Sequence, residues 1–155
     1  MRAVLRTDGG ARGNPGPAGA GFVLHGSDGT LLSSGGRFLG DATNNIAEYE
    51  ALIWGLETAL DLGVSDITVL CDSELVVRQV NGVYKVKHPN MRPLFVRTLE
   101  LLRRFGAFQV RHIPRAENAA ADKLVNEAID LKGHVGHVGA ADAAEPRVRQ
   151  DTLFD

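Results

Sequence analysis

The sequence predicts an α/β protein whose mixed five-stranded sheet carries helices on both faces, with the elements in the order βββαβααβα. Three observations lead to this fold class. Short apolar runs with a glycine-containing hairpin signal open the chain, and a stretch with helical spacing of apolar residues follows. The near-continuous apolar run Asp66–Cys71 then stands between helical stretches, as expected of a central strand covered on both faces.

The order of the elements follows from turn, cap and breaker residues. The first three strands are antiparallel and are predicted over residues 2–8, 18–25 and 30–38. A helix begins near the capping residue Thr43 and ends at Gly63. After the central strand, the remaining helix, helix, strand and helix are predicted over residues 73–81, 90–105, 108–113 and 117–131.

Length and composition predict one domain over residues 1–132, followed by a flexible tail over residues 133–155. The chain has 155 residues, 44% of them hydrophobic, which is enough for a core of its own. Its single cysteine, Cys71, allows no internal disulfide and indicates a reducing compartment, and no apolar run approaches the roughly 20 residues of a membrane span. We therefore expect a soluble, monomeric, cytoplasmic protein with no membrane partner.

Positive charge is concentrated in one part of a chain whose net charge is only −2. Between residues 85 and 115 there are eight basic residues and one acid, Glu100. Such a block is compatible with a solvated helix face and also with a surface that binds nucleic-acid phosphates. The basic residues are Lys85, Lys87, Arg92, Arg97, Arg103, Arg104, Arg111 and Arg115.

Four carboxylates stand at comparable places in the predicted elements. Asp8 and Asp72 directly follow apolar strands. Glu48 and Asp122 lie near the starts of helices, on the stripe that faces inward. The glycine-rich turn after Asp8 would allow a charged ligand close to the backbone. Four acids brought together repel one another unless cations neutralise them, so the sequence predicts a site for hard divalent ions.

These acids belong to four ordered motifs that resemble the type 1 ribonuclease H family. The resemblance covers residues 2–132. The motifs, in chain order, are Thr7-Asp8-Gly9-Gly10 with Gly13-Asn14-Pro15-Gly16-Pro17, Thr43-Asn44-Asn45-Ile46-Ala47-Glu48, Asp72-Ser73, and Glu117-Asn118 before Asp122. Because the motifs also stand at compatible separations, the match is far more specific than any one of them.

The resemblance implies hydrolysis of the RNA strand in an RNA–DNA hybrid, for the removal of RNA primers and hybrids in replication and repair. Asp8, Glu48, Asp72 and Asp122 resemble the family's metal ligands, with two Mg²⁺ ions per site and Mn²⁺ as a substitute. In such a two-metal reaction one ion activates the attacking water and the other stabilises the leaving 3′ oxygen. The products would carry 5′-phosphate and 3′-hydroxyl ends.

Several further positions resemble residues by which the family contacts the hybrid. Amide side chains suit a 2′-hydroxyl, which donates and accepts hydrogen bonds, although helix capping would also explain Asn44 and Asn45. The predicted contact residues are Gly9, Gly10, Asn14, Thr43, Asn44, Asn45, Ser73, Glu74, Lys85, Lys87 and Asn118.

Two departures from the family pattern alter the expected hybrid surface. Glu74 stands where many members have a glutamine that contacts the minor groove, so it adds a negative charge there. The segment over residues 81–89 is short where many members carry a basic, Trp-containing protrusion. The chain resembles bacterial and archaeal forms that lack this protrusion, and Lys85, Lys87 and the following helix would take over part of hybrid binding.

The loop before Asp122 resembles the place where the family has a histidine that is thought to assist product release. His112 alternates with Phe108 and Val110 along a predicted strand, which favours a structural position for it. Arg115 lies in the loop itself. We therefore assign the loop role to Arg115 and keep His112 as the alternative.

The last residues of the chain resemble the Gln-x-x-Leu-Phe peptides by which bacterial replication proteins bind the sliding clamp. Adjacent large apolar residues at a flexible terminus are explained by a partner that buries them. The sequence therefore predicts a clamp contact through Gln150, Leu153 and Phe154.

Two other classes of function stay open. A structure-specific DNA nuclease or an integrase-like core would share the sheet and the acids, but Asn14 and the Thr43-Asn44-Asn45 motif favour a hybrid substrate. A binding module that has lost catalysis would lack at least one of the four acids, and none is missing.

Overall fold

The computed structural model describes residues 1–138, which form a six-stranded mixed sheet with helices on both faces. The strands are Arg2–Ala11 (β1), Gly16–Gly26 (β2), Leu31–Ala42 (β3), Asp66–Cys71 (β4), Ala107–His112 (β5) and Val135–Val138 (β6). Their spatial order is β5-β4-β1-β2-β3-β6. Because β1 pairs antiparallel with β2 and parallel with β4, the two halves of the sheet meet at β1.

Four α-helices connect and cover these strands. They are Asn44–Asp61 (α1), Glu74–Val80 (α2), Arg92–Leu102 (α3) and Ala119–Leu131 (α4). The caps of α1 and α2 are Thr43 and Ser73, and a single 3₁₀ turn over Arg115–Asn118 precedes α4. The helices are therefore present in the predicted order, each within a few residues of its expected bounds.

Adjacent glycines on β3 show which helix covers which face of the sheet. Successive residues of a strand point to opposite faces. A Cβ added to Gly35 would lie 2.7 Å from the Trp54 ring of α1, whereas one added to Gly36 would overlap the carbonyl oxygen of Leu124 in α4. Helices α1 and α4 thus cover opposite faces, which confirms the predicted α/β arrangement.

The hydrophobic core lies between α1 and the central strands and continues to α2 and α3. Leu5 of β1 and Val69 of β4 have no exposed surface, and they belong to one cluster with Tyr49, Leu52 and Leu56 of α1. Burial of one such side chain contributes about 1.5–3 kcal/mol. The core therefore fixes α1 against β1 and β4, the elements next to three of the four predicted metal ligands.

The sixth strand corrects the prediction of five strands and of a flexible tail that begins at residue 133. Val135–Val138 pairs antiparallel with residues 33–36 of β3. Gly136 has a φ of +150°, and a Cβ there would collide with the backbone of Ser34, so the strand requires glycine at this point. The glycine-rich composition that predicted a mobile segment instead permits a close approach between two strands.

Strand β1 is longer than predicted, and the difference shapes the site. The sequence predicted that the strand ends at Asp8, but β1 continues to Ala11 and pairs with β2 as far as Ala18. Its other neighbour, β4, ends earlier, and its last paired residue lies opposite Thr7. From Asp8 onward β1 therefore has a strand on one side only. We call the space beyond the end of β4 the notch.

Helix α1 is the longest of the described helices, with 18 residues. Within residues 1–138, no helix combines the length and the apolar character that crossing a lipid bilayer requires.

The predicted clamp-binding residues Gln150, Leu153 and Phe154 lie outside the described residues.

Candidate active site

The four carboxylates predicted to bind metal meet at the notch. Asp8 lies on β1, and Asp72 comes directly after the end of β4. Glu48 comes from the start of α1 on one face of the sheet, and Asp122 comes from the first turn of α4 on the other face. Because β4 ends before the notch, side chains from helices on opposite faces can both approach Asp8.

The carboxylates are close enough to share cations. Oxygen atoms of Asp8, Glu48 and Asp72 all lie within 4.8 Å of one another. Asp122 is close enough to Asp8 for its negative charge to raise the pKa of the Asp8 carboxyl. A cavity of about 230 Å³ opens here, and Asp8, Glu48 and Asp122 line it together with Arg115.

Burial and mutual repulsion make two of these acids, Asp8 and Glu48, unusually weak. Loss of hydration raises the pKa of Asp8 to about 8, and the charges of Asp72 and Asp122 add to this effect. Burial also holds the pKa of Glu48 well above its ordinary value, with Asp8 and Asp72 as further causes. The positive charge of Arg115 acts in the opposite direction and lowers the pKa of Glu48. Without a cation, Asp8 and Glu48 therefore tend to hold protons at neutral pH.

One oxygen of Asp72 indicates independently that the cluster accommodates a cation. Asp72 Oδ2 is buried and has no hydrogen-bond partner in the part of the chain that the structure describes. A buried carboxylate oxygen without a donor is costly, and a divalent cation would satisfy it. Mg²⁺ and Mn²⁺ prefer oxygen ligands, so the donor set of Asp8, Glu48 and Asp72 fits them.

Gly9 lets α1 come close enough for Glu48 to reach Asp8. A Cβ at Gly9 would overlap the backbone of Ala47, the residue before Glu48. The backbone N–H of Gly9 also favours the ionised carboxylates of Asp8 and Glu48 and so lowers the pKa of both. A Cβ at Gly10 would meet its nearest atom only at 3.8 Å. Of these two predicted contact residues, Gly9 is thus required by packing and Gly10 is not.

Asn14 and Asn44 form a hydrogen-bonded chain beside the site. The backbone N–H of Ala11 donates to Asn44 Oδ1 at 2.8 Å, and the backbone N–H of Asn44 donates to Asn14 Oδ1 at 3.1 Å. Both side chains therefore use their carbonyl oxygens inside the protein. Their exposed NH₂ groups make no hydrogen bond to any described residue, so they can donate to a ligand.

Two of the predicted contact residues are helix caps. Thr43 Oγ1 accepts a hydrogen bond from the backbone of Ile46 at 3.2 Å, and Ser73 Oγ accepts one from the backbone of Val76 at 3.3 Å. Asn45 is exposed in the first turn of α1. Helix capping explains why Thr43 and Ser73 stand at these positions even without a ligand. Asn45, in contrast, presents its amide to solvent.

Glu74 is paired with an arginine rather than left as an isolated negative charge. Its Oε2 lies 2.9 Å from Arg78 Nε and 2.7 Å from Arg78 Nη2, one turn further along α2. The guanidinium offsets the charge that the sequence adds to the expected hybrid surface. Lys85 and Lys87 are exposed on the segment between α2 and α3.

The structure contradicts the predicted nucleic-acid contact of Asn118. This residue has no exposed surface, and its Nδ2 donates to the backbone carbonyl of Thr7 at 2.8 Å. The hydrogen bond ties the 3₁₀ turn before α4 to β1, directly beside Asp8. An internal backbone partner, which the sequence does not reveal, keeps this amide away from solvent.

Arg115 and His112 lie in different places relative to the site. Arg115 begins the 3₁₀ turn and lines the cavity, where its charge acts on Glu48. His112 is exposed on the edge strand β5, paired with Cys71, and is not among the residues that line this cavity. Arg115 is therefore the one of the two whose side chain borders the carboxylates.

Two polar residues that line the cavity were missed by the sequence prediction. Arg12 and Asn126 line it, and their side chains are hydrogen-bonded across 114 positions of the chain. Asn126 lies four positions after Asp122 and therefore on the same face of α4, which is the one signal that the sequence offers. For Arg12, whose partners lie far away in the chain, we find no sequence signal.

The strand order and the acidic notch define a protein of the ribonuclease H fold class. A family model described as reverse transcriptase-like matches residues 6–128. The ribonuclease HI of Halobacterium salinarum is 49% identical over 123 residues, which cover 79% of this chain and 62% of that protein. This chain belongs to the type 1 ribonuclease H family.

Solved structures agree with the fold over most of the described residues. The crystal structure of RNase H1 from the halophilic archaeon Halobacterium salinarum has a TM-score of 0.82 at 47% identity and covers 84% of this chain and 98% of that one. LC11-RNase H1, solved in complex with an RNA/DNA hybrid, has a TM-score of 0.80 at 45% identity, with coverage of 84% and 98%. The chain spans between 40% and 62% of the length of the first curated relatives that it matches.

Proposed function

We propose that this protein is an endonuclease that hydrolyses the RNA strand of RNA–DNA hybrids with the help of divalent cations, as in the removal of RNA primers. The observation that carries the proposal is the approach of Asp8, Glu48 and Asp72 oxygens to within 4.8 Å, with Asp122 lining the same cavity as Asp8 and Glu48. Membership of the family supports the same reaction, since LC11-RNase H1 was solved with an RNA/DNA hybrid.

The four carboxylates would hold two Mg²⁺ ions, with Mn²⁺ as a substitute. When bound, such ions activate water for attack on the phosphodiester and stabilise the charge on the leaving 3′ oxygen. The protein's part is to hold Asp8, Glu48, Asp72 and Asp122 at fixed separations and to keep Asp8 and Glu48 largely shielded from solvent. Attack by water leaves 5′-phosphate and 3′-hydroxyl ends.

Residues around the notch would recognise the hybrid. The exposed amides of Asn14 and Asn44 would donate to 2′-hydroxyl oxygens, which distinguish RNA from DNA, and the internal use of their carbonyl oxygens supports this. Lys85 and Lys87 would bind phosphates, and they supply charge without sequence information. Arg115 would assist product release, because it lies at the cavity and carries a positive charge beside Glu48.

Cleavage of labelled RNA–DNA hybrid, duplex RNA and duplex DNA tests the proposal. We expect hybrid cleavage with Mg²⁺ and with Mn²⁺, and none with a chelator. Asp8→Asn should lower turnover at least about a hundredfold, which corresponds to about 2.7 kcal/mol of transition-state stabilisation. Asp41→Asn, which changes an exposed acid at the end of β3, is the matched control and should leave turnover unchanged.

Other outcomes of the same assay would point to the two competing classes. Preferential cleavage of duplex DNA would favour a structure-specific nuclease or an integrase-like core. Tight hybrid binding without any cleavage would favour a module that has lost catalysis.

Comparison of Arg115→Ala with His112→Ala tests the loop assignment. If Arg115 assists product release, its replacement should lower turnover about tenfold under saturating hybrid, whereas His112→Ala should change it less than twofold. The reverse result would assign the role to His112.

We also propose that the protein is a cytoplasmic monomer and that Gln150, Leu153 and Phe154 bind the sliding clamp. The support for the clamp contact is the resemblance of the last residues to clamp-binding peptides. A pull-down with purified clamp should recover the full chain but not a chain that lacks residues 150–155. Equal recovery of both would contradict the contact.

A further inference from the structure

The glycine-rich turn between β1 and β2 is tied to helices on both faces of the sheet. On the side of α1, Ala11 and Asn14 are each hydrogen-bonded to Asn44. On the side of α4, Arg12 Nη1 pairs with Asp130 Oδ1 at 2.7 Å. The turn therefore connects the two helices that bring carboxylates to the notch from opposite faces.

Arg12 also contacts the asparagine one helical turn after Asp122. Its Nη2 donates to Asn126 Oδ1 at 3.3 Å and to the Asn126 backbone carbonyl at 3.4 Å. Asn126 Nδ2 in turn lies 3.1 Å from the backbone carbonyl of Asp122 and 3.5 Å from its Oδ2. Two hydrogen-bonded side chains, those of Arg12 and Asn126, thus lead from the turn to the fourth carboxylate.

The chemistry of these groups fixes the direction of the chain of hydrogen bonds. A guanidinium only donates, so Asn126 presents its carbonyl oxygen to Arg12 and its NH₂ group to Asp122. A donor beside Oδ2 restricts the rotation of the Asp122 carboxylate. This restriction suits a side chain that has to bind a cation.

Asp122 is the acid that most needs such support. Oxygens of Asp8, Glu48 and Asp72 lie within 4.8 Å of one another, and this group does not include Asp122. It is also more exposed than Asp8 and Glu48, so packing restrains it less. A carboxylate that is already held in place loses less conformational freedom when a cation binds.

We propose that Arg12 and Asn126 are positioning residues that set the place of Asp122 in the cation site. The inference rests on the proposed function only in taking Asp122 as a cation ligand. It assigns a structural task to a surface arginine whose side-chain partners within residues 1–138, Asn126 and Asp130, lie on α4, more than a hundred positions away in the chain.

Calorimetric titration with Mn²⁺ and with Mg²⁺ tests the inference without any substrate. Arg12→Ala and Asn126→Leu should each weaken cation binding about tenfold, as expected when a group that orients a metal ligand is lost. For Arg12→Ala, the direction of the change in cation affinity is informative. Removal of a positive charge near acids would by Coulomb's law alone strengthen cation binding, whereas loss of positioning weakens it. The double variant should bind cations no more weakly than either single variant, since both changes break one chain of hydrogen bonds.

Arg2→Ala is the matched control, because it removes an arginine from an exposed ion pair at the other end of β1. It should leave cation binding unchanged, and Arg12→Lys should restore part of the affinity lost in Arg12→Ala. In hybrid cleavage, both Arg12→Ala and Asn126→Leu should raise the cation concentration for half-maximal rate while KM for the hybrid changes less than about twofold.

Cation affinity that is unchanged or higher in Arg12→Ala and Asn126→Leu would overturn the inference. So would a rise in KM alone, because Arg12 would then contact the hybrid directly. If the wild-type chain binds cations, both variants weaken that binding, and no hybrid is cleaved, the proposed function fails while the positioning role stands.

Discussion

Asp8 is only 4% exposed and lies beside Asp72 and Asp122, so its ionisation is costly in the metal-free protein. Its pKa is about 8 in the folded chain against an ordinary value of 3.8. Between these values the folded chain holds a proton that the unfolded chain has released. The stability of the metal-free protein therefore falls as the pH rises from about 4 to about 8, and bound cations should reverse this loss.

Asp8→Asn should accordingly stabilise the metal-free protein at mildly alkaline pH. The amide carries no charge, so we expect a gain of at least about 1.4 kcal/mol, the equivalent of one pKa unit. Denaturant unfolding in chelator over the range from about pH 5 to about pH 9 measures the effect. Asp41→Asn serves as the control, and a gain of the same size in that variant would contradict the explanation.

Asn118 is predicted to contribute to stability rather than to hybrid binding. Asn118→Ala removes the donor to the buried Thr7 carbonyl, so the free energy of unfolding should fall by about 1–3 kcal/mol. Asn45→Ala removes an exposed amide from the first turn of α1 and should change it by less than about 0.5 kcal/mol. Urea unfolding of both variants provides the comparison, and equal stability would show that the Thr7 hydrogen bond contributes nothing.

The residues of the site divide according to what determines their positions. Asp72 directly follows an apolar run and Asp122 lies on the inward stripe of a helix, so their places follow from local patterns. Asn118 and Arg12 depend on partners on other elements, and polar residues carry no periodic signal that would identify such partners. Sequence reasoning could therefore predict the acids but not the groups that hold them.

At the scale of elements, β1 and α1 approach each other closely at Gly9. In the sequence, the glycines that follow Asp8 predict a turn, because glycine readily adopts positive φ. In the structure their missing side chains let the strand continue under the helix. The same absence of a Cβ thus lengthens β1 and brings Glu48 to Asp8, so the error in strand length and the geometry of the site have one cause.

Gly9→Ala and Gly10→Ala test this contact between the two elements. The added methyl group at Gly9 would force α1 away from β1, with an expected cost of about 1–3 kcal/mol and a large loss of activity and cation binding. At Gly10 the methyl group has room, so stability should change by less than about 0.5 kcal/mol. Thermal unfolding together with cation titration measures both, and similar behaviour of the two variants would show that close packing at Gly9 is not required.

At the scale of the whole molecule, β6 contains the last described residues and forms the edge of the sheet opposite to β5. The His134 ring lies 6.5 Å from that of Trp54 in edge-to-face geometry, and Arg37 lies over the same indole at 4.1 Å. His134, directly before β6, thus contacts α1, and β6 itself pairs with β3. The edge of β3 is covered by this strand rather than left open.

Removal of β6 should destabilise the protein without altering the cluster of acids. We expect a chain that ends at residue 133 to lose about 1–2 kcal/mol relative to one that ends at residue 138, which would lower Tm by roughly 3–10 °C. Both chains lack residues 139–155, so the comparison isolates the strand. Calorimetric unfolding measures the difference, and an unchanged Tm would mean that β6 adds nothing to stability.

The fold as a whole was predictable where hydrophobic periodicity is strong. The helices and the strand Asp66–Cys71 follow from such patterns, and the order of elements leaves few topologies for them. The sixth strand was not predictable, because residues 133–138 have a composition typical of a mobile segment. Its strand form comes from pairing with β3, which is a contact between distant parts of the chain.

The register of the first hairpin offers a place to attach probes. Ala3 pairs with Gly26 and Asp8 pairs with Gly21, so the turn after β2 lies five residues along β1 from the carboxylates, a separation of about 17 Å. Gly29 in this turn has no neighbouring atom within 4 Å of an added Cβ. Ser27 lies in the same turn and is exposed. A dye or a surface linker attached to Ser27 would therefore label or immobilise the molecule without obstructing the notch, where nucleic acid is expected to bind.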